Sequence, residues 1–116
     1  MRIREVTLDG ESHKIAPMTY DEAEAFINEG KEMLARNPKP TDEDWAKRTL
    51  NSVLSALNRA AGTEVWNLTG DDGKKKLTKE LDMGMINHLH REYLIMSGIL
   101  LPGAKAGEGP ATSTSR

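Results

Sequence analysis

Residues 77–97 carry leucine, methionine, isoleucine and tyrosine at helical spacing for about six turns, and the pattern then stops at Gly98-Ile99-Leu100-Leu101-Pro102. Leu81, Met85, Leu89, Tyr93 and Met96 share one stripe, and Ile86 and Leu94 widen it. A helix so long and so apolar on one side has to be covered by other elements of the same chain or by a partner. Gly98 followed by Ile99 predicts a left-handed stop, with Ile99 folding back on the last turn. Gly84 interrupts the run at a cost of ~1 kcal/mol relative to alanine, which points to a close contact there.

The elements that could cover this run lie upstream. Residues 2–15 read as a β-hairpin closed by Asp9-Gly10, because a two-residue type I′ turn needs positive φ at both central positions. That turn pairs Leu8 with Glu11, Val6 with His13, Glu5 with Lys14 and Arg4 with Ile15. One face then carries Val6, Leu8 and Ile15, and the other a complementary Glu5–Lys14 pair. A lone hairpin is marginal in water, so this face must pack on a helix or meet a second chain. Val6, Leu8 and Ile15 are therefore the expected self-association residues.

After Pro17, Thr19-Tyr20-Asp21-Glu22 has the form of a capping box and predicts a helix over 20–36. Ala23, Phe26, Ile27, Gly30, Met33 and Leu34 form its apolar stripe, and Asn37-Pro38-Lys39-Pro40 ends it. Thr41-Asp42-Glu43-Asp44 starts a second helix with an acidic first turn, and Gly62 is its expected C′ residue. Trp45, Thr49, Val53, Leu54, Leu57, Ala60 and Ala61 line that helix. Glu43–Lys47 and Asp44–Arg48 are i,i+4 pairs in the favourable order. Residues 63–76 are expected to dock Trp66 and to include the loop Thr69-Gly70-Asp71-Asp72-Gly73. The third helix is expected to begin after Lys74-Lys75-Lys76, with Thr78 or a neighbour as its cap, since cations are disfavoured at a helix N-terminus. The resulting fold class is mainly α: a three-helix domain over 1–102, a short N-terminal β-hairpin, and a flexible, disordered tail over 103–116.

Composition narrows the chemistry. The 116 residues include 16 Lys+Arg against 18 Asp+Glu, so the net charge of −2 lacks the basic excess of a nucleic-acid-tracking domain. There is no cysteine, hence no thiol nucleophile, disulfide or zinc–thiolate site. No apolar run reaches the ~18 residues of a membrane span, and the first residues lack a signal-peptide core. The expected location is the cytoplasm.

Candidate catalytic and metal sites reduce to structural roles. His88 and His90 are two apart and diverge on a helix, and His88 with Glu92 gives two ligands without a third. Asp71-Asp72-Gly73 lacks the alternating oxygens and the distal glutamate of a calcium loop. Asp42, Glu43 and Asp44 are explained by capping. No nucleophile, phosphate-cradling or zinc-protease motif is present. The expectation is a non-enzymatic protein without cofactor or metal. Met33, Met83, Met85 and Met96 read as core fillers. Met83 lies off the main stripe with Ile95 on a nearby face, where they can form a second apolar strip. With Tyr93 and the hook residues Leu100 and Leu101, they make up the expected partner-binding set, while Ile99 seals the helix end.

Two segments carry a family resemblance. The opening REVTLDGESHKIAPMTYDEAEAF is a hairpin leading through proline into a capped helix, and the close LHREYLIMSGILLPGAKAGE is a helix ending in Ser-Gly and a loop. Both are similar to tail assembly chaperones of long-tailed phages and prophages. The resemblance implies a non-enzymatic, self-associating protein of the host cytoplasm that is absent from the mature virion. Such a protein coats the tail tape measure protein and recruits tail-tube protein. It also implies that a frameshifted longer product would diverge within 103–116. A small virion structural or head–tail connector protein is the alternative. A transcriptional regulator would need a recognition helix richer than Asn87, His88, His90 and Arg91 provide.

Overall fold

A computed structural model describes residues 2–62 and 71–100. The order is β1 (Arg4–Leu8), β2 (Glu11–Ile15), α1 (Tyr20–Ala35), α2 (Asp42–Ala61), α3 (Asp71–Glu80) and α4 (Met83–Met96). Trp66 and residues 101–116, including Leu101 and the expected tail, lie outside the described residues.

The hairpin has the expected register: Arg4 opposite Ile15, Glu5 opposite Lys14, Val6 opposite His13 and Leu8 opposite Glu11. Asp9 and Gly10 both take positive φ, 52° and 83°, as the tight turn requires. Its apolar face packs inward, β2 against α2 and β1 against α4. Val6 and Ile15 are buried, and Leu8 is packed at the edge of the same core.

Both capping boxes form. Thr19 accepts from the Glu22 amide while Glu22 accepts from the Thr19 amide, and Thr41 and Asp44 repeat the arrangement. Gly62 closes α2 in the left-handed region. Glu43 and Lys47 pair at 3.6 Å, but Asp44 is engaged by its cap and Arg48 turns instead toward α1, so the expected Asp44–Arg48 pair does not form.

The apolar run beyond residue 70 forms two helices rather than one, so the described domain has four helices instead of three. Asp82 causes the break. Its backbone is extended, with φ −78° and ψ 168°, and its carboxylate accepts the Met85 amide at 2.7 Å, which makes it the N-cap of α4. The segment expected to be a loop, residues 71–73, is helical and opens α3, and the lysine triplet lies inside that helix. Thr78 is not a cap; its hydroxyl bonds the carbonyls of Lys74 and Lys75. With the start placed at residue 71, the lysines fall beyond the first three residues, where their charge opposes the helix dipole less. Leu77 and Leu81 anchor α3 in the core beside α2.

Val53, Leu54, Leu57, Leu77, Leu81, Met85, Leu89 and Tyr93 make up the centre of the core. The end of α4 is the predicted stop: Gly98 has φ 79°, the Ile99 amide bonds the Leu94 carbonyl and the Gly98 amide bonds that of Ile95. A Cβ on Gly84 would meet Leu8 and Asp82 at ordinary contact distance, so the close approach at that glycine comes from the hairpin tip and not from a helix.

Candidate functional site

The structure scatters the residues expected to face a partner. Met83, at the head of α4, is 77% exposed, and Ile95 is half-buried twelve residues further on. Tyr93 and Leu100 are core residues, 1% and 5% exposed, which removes both from the partner-facing set. The reason for Leu100 is the helix stop itself. The reversal at Gly98 brings the Leu100 amide to the Leu94 carbonyl at 3.2 Å and turns its side chain inward. The hairpin residues expected to meet a second copy are likewise spent inside the domain. Strand edges are what the hairpin can still offer another chain.

A different constellation lies between α1 and α2. Arg48, Ser52, Ser55 and Arg59 fall on one face of α2 at helical spacing, opposite Glu22, Phe26 and Glu29 of α1. These residues, with Tyr93 at the base, line a cleft of about 310 Å³. An ion pair closes each end. Arg59 donates to both oxygens of Glu22 at 2.7 and 2.6 Å, a bidentate pair. Arg48 donates to Glu29 at 3.1 Å and to the Phe26 carbonyl at 2.6 Å, and its guanidinium stands 3.8 Å from the centre of the Phe26 ring.

The Arg48 position depends on Gly30, which lies directly against the guanidinium. Phe26 in turn meets His90 edge-on, with ring centres 6.3 Å apart. His90 therefore lies inside the domain. Its Nε2 is buried with no hydrogen-bond partner among the described residues, and burial, with Arg48 nearby, lowers its pKa to about 4. The Arg59 hydrogen bonds hold Glu22 down to about 2. Burial raises the Tyr93 hydroxyl, and the Glu22 contact raises Arg59.

At neutral pH this site has two cations, two carboxylates and a neutral imidazole. The charges cancel pairwise. Ser52 donates its hydroxyl to the Arg48 carbonyl at 3.0 Å, and the two carboxylates that line the same cleft, Glu22 and Glu29, are engaged by Arg59 and Arg48. Among the described residues, no group of three or more His, Asp or Glu side chains could hold a metal ion, and no helix is long and apolar enough to cross a membrane. The arrangement joins two helices through polar contacts and leaves a gap between them.

Sequence reading missed Arg48, Arg59 and His90. The usable signals were the polar series Arg48, Ser52, Ser55, Arg59 beside an apolar stripe, and a glycine inside the α1 stripe. No family model, no curated protein and no solved structure matches the chain.

Proposed function

We propose that this chain is a non-enzymatic tail assembly chaperone of a long-tailed phage or prophage. It binds the tail tape measure protein in the host cytoplasm, helps recruit tail-tube protein, self-associates, and is absent from the finished virion. The reading is supported by the likeness of the first and last segments to that family, and by apolar side chains left uncovered on the helices. Met83 is the observation that carries it. An unbranched apolar side chain, 77% exposed at the head of a helix whose other side is core, is suited to an adaptable protein contact.

The test is co-expression with the tape measure protein and capture of the complex, with the wild type compared against Met83→Asp. Met83 is exposed, so the variant should keep its circular dichroism and lose co-purification by tenfold or more. A folded wild type that fails to capture the tape measure protein contradicts the reading. Mass spectrometry of purified virions separates it from the alternative. A stoichiometric presence there would assign the chain as a structural or connector subunit.

A further inference from the structure

We infer that α1 is a dimerisation seam, and that its occupant is α1 of a second copy lying antiparallel to it. The inference rests on the self-associating part of the reading above and replaces the hairpin face, which is internal, with another surface. Tyr20, Ile27 and Leu34 recur at seven-residue spacing along the whole of α1, a helix about 24 Å long. Tyr20 is 82% and Leu34 55% exposed, and Ile27 is half-buried between them. Ala23 and Gly30 mark the buried inner border of the stripe, where Gly30 is covered by Arg48 of α2, so the second copy meets the outer side of α1.

Charge decides between a second copy and some other helix. Glu24 and Lys31 flank the stripe on its exposed side, and neither forms an ion pair among the described residues. A two-fold axis near Ile27 places Tyr20 against Leu34 of the second copy. The same axis places Glu24 of each copy against Lys31 of the other, because one lies three residues before Ile27 and the other four after it. The contact is self-complementary, as an isologous interface must be. A parallel arrangement would set Glu24 against Glu24 and Lys31 against Lys31. A seam of one short helix belongs to the weak, transient class of interfaces.

Sedimentation velocity of the full chain, run over a wide concentration range, tests the seam. The wild type should approach a dimer as concentration rises, and Leu34→Glu should remain monomeric. Glu24→Lys and Lys31→Glu should each raise the dimer dissociation constant about tenfold, since two attractive contacts become repulsive. An equimolar mixture of those two variants should dimerise more tightly than either alone, because every cross-copy contact is again between opposite charges. A wild type that stays monomeric, a Leu34→Glu variant that still dimerises, or a mixture no tighter than its components would overturn the inference. Capture of the tape measure protein, scored on the same samples, keeps the two claims apart. A folded, monomeric Leu34→Glu that still captures it supports both. Loss of capture by an intact wild-type dimer contradicts only the proposed function.

Discussion

A Cβ on Gly30 would lie 2.9 Å from the Arg48 Nη2 atom, so the glycine in the middle of α1 is a seat for a guanidinium on α2. Sequence alone marks Gly30 as a helix-weakening residue in an apolar stripe. Its role becomes visible only when the second helix is in place.

Gly30→Ala sets two effects against each other. Helix propensity favours alanine by ~1 kcal/mol. Against this stand the charged hydrogen bond from Arg48 to the Phe26 carbonyl, of order 1.5–3 kcal/mol, and the guanidinium–ring contact, of order 0.5–1 kcal/mol. The Arg48 side chain is only 10% exposed and has little room to yield. The variant should therefore lose ~1–2 kcal/mol in urea denaturation. In an Arg48→Ala background the same substitution should stabilise by ~1 kcal/mol, and a double-mutant cycle reads the difference.

His90 makes stability depend on pH. Its folded pKa is lowered to about 4 from 6.5, so between those values the unfolded chain takes up a proton that the folded chain refuses. Stability is fully present above pH 6.5 and falls as pH falls through the window, by ~1–2 kcal/mol between pH 7 and 5. His90→Gln should flatten that slope. Glu22, held at about 2, adds a further loss below pH 4.5, a small one because its side chain is 43% exposed. Equal wild-type stability at pH 7 and pH 5 would contradict the buried neutral imidazole.

Leu89 is fully buried in the centre of the core. Leu89→Ala should cost ~2–5 kcal/mol in equilibrium unfolding, and a change below ~0.5 would contradict its placement.

Asp82→Ala removes the carboxylate that caps α4 and should cost ~0.5–2 kcal/mol, with Asp82→Asn close to wild type. Hydrogen exchange should locate the loss at the Met85 amide, the one the carboxylate accepts.

Local chemistry was legible in the sequence, and chemistry between elements was not. The hairpin register, both capping boxes and the stops at Gly62 and Gly98 each depend on a few neighbouring residues. The break at Asp82 was hidden because Leu77, Leu81, Met85, Leu89 and Tyr93 keep a four-residue spacing straight through it. One continuous helix and two capped helices share that pattern. The i,i+4 spacing points Arg48 to Asp44 because it registers only partners on the same helix. Its actual partners, Phe26 and Glu29, come from a helix about twenty residues earlier. Leu100 reads as a surface residue in the sequence because burial at a chain reversal depends on where the reversed segment lands, whereas Tyr93 already lies on the core stripe of its helix.

Close backbone packing ties α2 to β2, α3 and α4 and ties β1 to α4, and α1 is not among these pairs. At the cleft α1 is held by the Glu22–Arg59 and Glu29–Arg48 couples, whose carboxylates face water, and by the Phe26 contacts to Arg48 and His90. Ionic strength therefore acts unevenly on this domain. Added salt weakens the ionic part of one helix's attachment and leaves the apolar packing of the other elements in place. Amide protons of α1 should exchange through a low-energy local opening, while those of α2 and α4 wait for global unfolding.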